Sequence, residues 1–239
     1  LPSMTIPFLH QTDLFHPHGD PDDHWDLATV YALAARQALD LQGVLLDYPP
    51  ARRPGDPATL ALAQLGQISG VTGIPFAVGS PYPLRSRTDT LADRPATAQA
   101  AARWLCRLLE NSRAPVIIQI VGSCTDVALA GRLRPDLFAS SCKAVYLNAG
   151  AAHPGKTGQL EYNVTLNPGA YAAIFDLSCP VYWCPCWDQS GEHTVGPHGT
   201  WYSFRQGDLF ARLTDPLCQF FLYMLNRSTD PQYLRELRR

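Results

Sequence analysis

The residues with the clearest capacity for chemistry form an acidic, histidine-rich segment near the amino terminus. Its members are Asp13, Asp20, Asp22, Asp23, Asp26, His10, His16, His18 and His24. A helix N-terminus gains from one or two carboxylates, but this many acidic groups would repel one another when folded. A hard divalent cation relieves such repulsion, and Ca²⁺ takes about six to eight oxygen ligands. The segment therefore predicts a metal site, with helix capping and solvated charges as the alternative.

His16 and His18 leave the identity of the metal open. They form a His-x-His pair where the first apolar run gives way to a helical pattern. Imidazole nitrogens favour zinc or iron over calcium. A zinc hydrolase that uses these histidines together with the aspartates is therefore an alternative, although we expect both histidines to flank an oxygen-ligated site.

An α/β arrangement must position these residues. Helical periodicity is clearest at residues 22–39, 57–69, 96–111, 126–133, 168–176 and 215–226. Apolar runs of strand length occur at residues 7–10, 43–47, 75–78, 116–121, 144–147 and 181–183. Alternating strands and helices predict a mostly parallel central sheet flanked by helices, with ligands bound beyond the carboxyl ends of the strands. We expect one domain over residues 1–239.

Composition excludes several classes of protein. The chain is 46% apolar and 17% charged, with a formal net charge of -2. These values are not typical of disordered chains or of surfaces that attract nucleic acid. No apolar run reaches the ~18 residues that cross a bilayer, so we expect no membrane partner. Seven cysteines without a C-x-x-C pair favour a reducing compartment such as the cytoplasm.

Four segments in order resemble motifs of the inosine/uridine-preferring nucleoside hydrolases. Thr12-Asp13 followed by Asp20-Pro-Asp22-Asp23 is similar to a stretched form of the family's aspartate-rich fingerprint. The other similar segments are residues 73–84, residues 115–130, and the group formed by residues 159–163, 167–173 and 179–181. The resemblance covers residues 8–183 and implies a nucleoside hydrolase-like α/β fold.

The resemblance also implies a calcium-dependent hydrolase of N-glycosidic bonds, in which an aspartate activates water to attack the anomeric carbon. On the matching positions, Asp13 would be the general base and a metal ligand. Asp23 would be a second ligand, and Val121 would bind the metal through its backbone carbonyl. Ca²⁺ is the implied cofactor, with Zn²⁺ as the alternative.

The implied substrate is a small nucleoside or sugar-like molecule. Asp22, Glu161 and Asn163 would contact sugar hydroxyls, and Asn148 lies where the family lines the sugar pocket. A turn or capping role for Asn148 is an equal alternative. A homo-oligomer is left open.

The acidic segment also departs from the family pattern. Asp13 and Asp22 are nine residues apart, because residues 16–19 form an insertion in the catalytic loop. We therefore count Asp20, His16 and His18 as additional candidate ligands.

Two further departures concern the second strand and the end of the chain. Asp47 stands where the family usually carries an asparagine near the metal and sugar, so we count it as a candidate as well. The family's closing His-Asp belongs to a later segment, and we expect these residues to be a C-terminally truncated piece of a longer protein. A carbohydrate- or nucleoside-binding protein with a decayed catalytic set is the non-enzyme alternative.

Overall fold

The structure is a computed structural model, and its described residues cover most of the chain. They are residues 5–14, 21–47, 59–152, 159–188, 191–192, 197–198 and 204–226.

A six-stranded parallel sheet lies at the centre of the fold. Its strands are β1 (Ile6–Thr12), β2 (Leu39–Leu46), β3 (Phe76–Val78), β4 (Val116–Ile120), β5 (Cys142–Asn148) and β6 (Val181–Cys184). They lie in the order β3-β2-β1-β4-β5-β6, and each neighbouring pair is parallel. The strand order reverses between β1 and β4. The carboxyl ends of these two strands therefore flank the switch point at which doubly wound sheets bind ligands.

Helices connect the strands and cover both faces of the sheet. They are α1 (Asp22–Ala35), α2 (Thr59–Ser69), α3 (Ala100–Asn111), α4 (Thr125–Leu133), α5 (Pro135–Ser141), α6 (Tyr162–Leu166), α7 (Pro168–Ile174), α8 (Gln206–Phe210) and α9 (Asp215–Asn226). A 3-10 turn, Ala96–Gln99, precedes α3, and a short antiparallel pair joins β7 (Trp187–Asp188) to β8 (Gly191–Glu192). Within the described ranges, every helix is too short or too polar to cross a membrane.

Two hydrophobic clusters hold the helices to the sheet. On β2, Leu45 packs into the cluster that contains α3, α4 and α7, whereas Val44 and Leu46 pack into the cluster that contains α1, α2 and α9. This division follows from the alternation of side chains along a strand. Strands buried on both faces are typical of parallel sheets covered by helices. The predicted fold class is confirmed.

The first helix ends earlier than its periodicity predicts. Residues 22–39 predict one helix, but α1 stops at Ala35, and Gln37 adopts a left-handed conformation with φ of 59°. The Gln37 N–H donates to Ala34, and the Ala38 N–H donates to Leu33, which forms a Schellman motif. The apolar residues beyond it belong to β2. Three short helices, α5, α6 and α8, are absent from the predicted elements, because segments of five to seven residues carry little periodic signal.

Candidate functional site at the carboxyl edge of the sheet

Asp13 lies at the junction of the two central strands. It follows β1 and is 2% exposed. Gln11 ties this strand to the loop after β4, because its backbone carbonyl accepts the Val121 N–H at 3.0 Å and its side-chain carbonyl accepts the Gly122 N–H at 3.2 Å. A Cβ added to Gly122 would lie 2.7 Å from the Cβ of Asp13 and 3.1 Å from its backbone nitrogen. Asp13 therefore packs against the backbone of the β4 loop, and glycine permits this approach.

The first turn of α1 brings two further carboxylates to this edge. Asp23 is buried, and its Oδ1 accepts a hydrogen bond from the Thr12 hydroxyl at 2.6 Å. Asp22 is exposed, and its Oδ1 accepts the Asp23 backbone N–H at 2.8 Å. Since Thr12 directly precedes Asp13, its hydroxyl holds the start of α1 beside the end of β1.

Asp26 extends the acidic cluster by one helical turn. Burial raises its pKa to about 7, with smaller contributions from the charges of Asp23 and Asp22. A carboxyl group with a pKa near neutrality can hold or release a proton at physiological pH. The sequence places Asp26 in the acidic segment but gives no sign of this altered acidity.

Asp47 fastens the end of β2 to the loop after β4. It is 3% exposed, and its backbone N–H donates to the Thr12 carbonyl at 2.9 Å. Its carboxylate accepts the Ser123 hydroxyl at 2.9 Å and the Ser123 backbone N–H at 3.2 Å. These contacts give Asp47 a structural role, and its role as a metal ligand stays a prediction.

A second buried acid, Asp126, lies close to Asp47 in the first turn of α4. Both oxygens of Asp126 accept the Ser80 backbone N–H at 3.1 Å. Burial, followed by the charge of Asp47, raises the pKa of Asp126 to about 7, although the Ser80 N–H opposes this shift. Asp126 lies within the motif at residues 115–130, but the sequence alone does not reveal its burial.

Glu161 forms the N-cap of α6 and fixes the loop after β5. Its carboxylate accepts backbone N–H groups from Gly150 at 2.7 Å, Asn163 at 2.9 Å and Val164 at 3.4 Å. It is 5% exposed. Three backbone N–H groups thus hold the Glu161 carboxylate in place, and a contact with a sugar hydroxyl would use its remaining acceptor capacity.

Asn163 connects this cap to the end of β4. Its amide donates to the backbone carbonyls of Val121 at 3.0 Å and Asn148 at 2.9 Å. Because Val121 adjoins Gly122, which packs against Asp13, these contacts bring the predicted residues of the β4, β5 and α6 segments to the same edge as Asp13.

The Cys186 thiol interacts with two acidic residues of the site, Glu161 and Asp22 in the first turn of α1. Burial, followed by the charges of Glu161 and Asp22, raises the pKa of the Cys186 thiol to about 12, and the thiol also hydrogen-bonds Glu161. Nearby, the Trp183 indole donates to the Ala149 carbonyl at 2.6 Å, and the Trp183 side chain remains 38% exposed. The edge thus combines carboxylates with an accessible aromatic ring, a combination that suits a sugar.

Residues 18–230 match the family model described as inosine-uridine preferring nucleoside hydrolase. The chain belongs to this family. The resemblance found in the sequence is thereby confirmed, and the family consists of enzymes that hydrolyse glycosidic bonds. No curated relative matches the chain significantly.

Solved structures agree with the nucleoside hydrolase fold. The effector protein XOO4466 has a TM-score of 0.56 at 21% identity, over 77% of this chain and 57% of its own. The type III effector protein XopQ, solved with adenosine diphosphate ribose, has a TM-score of 0.63 at 17% identity, over 97% of this chain and 68% of its own. The inosine-uridine preferring nucleoside hydrolase from Bacillus anthracis has a TM-score of 0.53 at 16% identity, over 76% of this chain and 65% of its own. The chain thus spans between 57% and 68% of the lengths of these proteins.

The described residues supply only part of a metal-ligand set for a nucleoside hydrolase. Among them, no group of three or more His, Cys, Asp or Glu side chains is close enough to hold a metal ion. Asp13, Asp23 and the Val121 carbonyl offer hard oxygen donors of the type that calcium prefers. Of the additional candidate ligands, Asp47 is described above, whereas His16, His18 and Asp20 lie outside the described residues.

The two described histidines of the acidic segment belong to the core of this nucleoside hydrolase fold. His10 is fully buried on β1, and its Nδ1 lies 3.2 Å from the Gln119 side-chain oxygen. Burial lowers the pKa of His10 to about 4. His24 is also fully buried and packs near the Phe220 ring, with centroids 5.9 Å apart. Two of the four histidines in the acidic segment, His10 on a strand and His24 on a helix, are thus core residues.

Proposed function

We propose that this chain hydrolyses the N-glycosidic bond of a nucleoside or related riboside, with Asp13 as the general base. The observation that carries the proposal is a buried aspartate at the switch point of the sheet, packed against Gly122, in a chain that belongs to the nucleoside hydrolases. Asp13 takes a proton from water as the water oxygen bonds to the anomeric carbon. The bond from that carbon to the base nitrogen breaks, the leaving base takes up a proton from solvent, and Asp13 returns the proton it accepted to solvent.

Neighbouring carboxylates suit this reaction because its transition state carries positive charge on the sugar. Asp22 and Asp23 lie in the first turn of α1, beside the end of β1. Asp26, whose pKa is about 7, adds a group that exchanges protons near neutrality. Negative charge from this cluster would stabilise an oxocarbenium-like sugar.

A divalent cation is part of the proposal. Asp13, Asp23 and the Val121 carbonyl would hold it, and their hard oxygen atoms favour Ca²⁺ over Zn²⁺. The Val121 carbonyl accepts one hydrogen bond from Asn163 and retains a second lone pair for an ion. When bound, the ion would lower the pKa of a coordinated water and orient it. Asp47, Asp20, His16 and His18 remain additional candidates.

The sugar subsite would lie between α1 and the loop after β5. Asp22 contributes an exposed carboxylate on one side, and Glu161, Asn163 and Asn148 occupy the other. Adenosine diphosphate ribose, which is bound in the XopQ structure, shares the ribosyl group with nucleosides. The substrate panel should therefore contain inosine, uridine and adenosine diphosphate ribose.

Replacing Asp13 tests the proposal. Asp13→Asn keeps the size of the side chain but weakens its basicity, so we expect kcat for riboside hydrolysis to fall by roughly 10²- to 10⁴-fold. Asp40→Asn is the matched control, because Asp40 is exposed near the amino end of β2 and contacts Gln42. The measurement is release of reducing sugar with Ca²⁺ or Zn²⁺ added. Unchanged turnover in Asp13→Asn would reject Asp13 as the base.

The same assay separates the enzyme from the binding-protein alternative. A binding protein would hold ribosides with measurable affinity in isothermal titration, and neither metal would produce turnover. Hydrolysis that requires Zn²⁺ and is lost on replacement of His16 and His18 would favour the zinc hydrolase.

A further inference from the structure

Two cysteine thiols meet at the amino end of the sheet, on the edge opposite the candidate site. Cys142 is the first residue of β5, and Cys179 lies two residues before β6 begins. These strands pair with Val145 beside Val181, and the Val145 N–H donates to the Pro180 carbonyl at 2.9 Å. A continued strand register would put Cys179 beside Lys143, but the chain bends at Cys179, and its side chain packs against the same hydrophobic cluster as Cys142.

This arrangement suits a disulfide bond. Neighbouring strands lie about 4.8 Å apart, so residues at the adjoining amino ends of β5 and β6 can lie within reach of each other. Disulfides span Cα separations of about 4.4 to 6.8 Å. Both side chains contact the same hydrophobic cluster, and the thiols are hydrogen-bonded to each other.

The two thiols differ in exposure and acidity. Cys142 is 6% exposed, whereas Cys179 is partly exposed. The hydrogen bond between them lowers the pKa of Cys179 and raises that of Cys142. A thiol that reacts with small oxidants is typically accessible, has a lowered pKa and lies beside a resolving cysteine.

We propose that Cys142 and Cys179 form a reversible disulfide, in which Cys179 attacks the oxidant and Cys142 resolves the intermediate. The oxidant is a low-molecular-weight disulfide such as glutathione disulfide. The Cys179 thiolate attacks one of its sulfurs, which forms a mixed disulfide and releases one small thiol. The Cys142 thiolate then attacks the Cys179 sulfur and releases the second. Two protein thiols lose two electrons and two protons, and the small disulfide becomes two thiols.

Oxidation in glutathione buffer followed by peptide mapping tests this proposal. The folded chain is equilibrated with glutathione disulfide, its remaining thiols are alkylated, and it is digested with trypsin. The peptide ending at Lys143 carries Cys142 and should be linked to the peptide that carries Cys179. Addition of excess reduced glutathione should break the link. A wild-type chain in which both thiols remain alkylated would overturn the proposal, as would a link that resists reduction.

Variants identify the partners and the order of attack. The peptide that carries Cys179 also carries Cys184 and Cys186, so the double variant Cys184→Ser/Cys186→Ser is the control and should retain the link. Cys179→Ser should abolish it. Cys142→Ser, or Cys142→Ala if the serine variant does not fold, should trap glutathione on Cys179. A link that persists in Cys179→Ser, or glutathione trapped elsewhere, would overturn the assignment.

Discussion

Gly122→Ala should lower the rate of hydrolysis while the chain still folds, because the added methyl group would contact Asp13, the proposed general base. The new Cβ would lie 2.7 Å from the Asp13 Cβ, whereas ordinary contacts begin at 3.4 Å, a difference of 0.7 Å. It would also lie 3.1 Å from the Asp13 backbone nitrogen, so rotation of the side chain alone cannot relieve the clash. The end of β1 or the β4 loop must therefore shift.

The size of this shift sets the expected effects. Misplacement of a catalytic group by about 1 Å costs on the order of 10²-fold in rate, so kcat should fall by tens to a hundredfold. Overpacking a buried position costs about 1 to 3 kcal/mol, so the chain should still fold. Urea unfolding and riboside hydrolysis measure the two effects on the same preparation.

Gly207→Ala is the matched control for this substitution. Gly207 lies in α8, and an added Cβ would have nothing within 4 Å. Alanine in a helix gains about 0.5 to 1 kcal/mol over glycine, so stability should rise slightly and kcat should stay constant. If Gly122→Ala retains the wild-type kcat, the contact between Asp13 and the β4 loop does not position a catalytic group.

Three further predictions concern buried polar groups. Burial lowers the pKa of His10 from 6.5 to about 4, so between these pH values the unfolded chain binds more protons than the folded chain. The free energy of unfolding should therefore fall by up to ~3 kcal/mol as pH drops from 6.5 to 4. In urea titrations, His10→Gln should reduce this dependence of stability on pH. The pKa of Asp126 is raised from 3.8 to about 7, so its contribution to stability is greatest below pH 3.8 and is lost as pH rises from 3.8 through 7. Asp126→Asn should therefore stabilise the chain more at pH 8 than at pH 5, by up to ~3 kcal/mol, because about two pKa units of this window lie above pH 5. An equal effect at both pH values would contradict the raised pKa. Glu161→Ala leaves buried backbone N–H groups without their acceptor, so the free energy of unfolding should fall by about 1 to 3 kcal/mol and riboside binding should weaken. The control is Glu110→Ala at an exposed position, which should change neither stability nor binding.

Much of the fold could be predicted because it depends on patterns that are local in the sequence. The six apolar runs correspond to the six strands of the sheet, although β1, β2, β5 and β6 extend beyond the predicted ranges. The end of α1 was missed because the left-handed conformation of Gln37 depends on backbone hydrogen bonds rather than on residue type.

The candidate site could be predicted only in part. Asp13 and Asn163 stand out in motifs, and the sequence order of strands suggests that they share an edge. The close approach of Gly122 to Asp13 and the raised pKa of Asp126 arise between residues that are distant in the chain. Such effects depend on burial and on packing across strands, which periodicity does not encode.

The location of bound ribose tests the central claim most directly. A crystal structure of the chain with Ca²⁺ and ribose should show the ion about 2.3 to 2.6 Å from oxygens of Asp13, Asp23 and the Val121 carbonyl. The anomeric carbon should face a water bound to Asp13. A sugar bound away from the carboxyl ends of β1 and β4, or an ion held by His16 and His18 instead of these oxygens, would contradict the account.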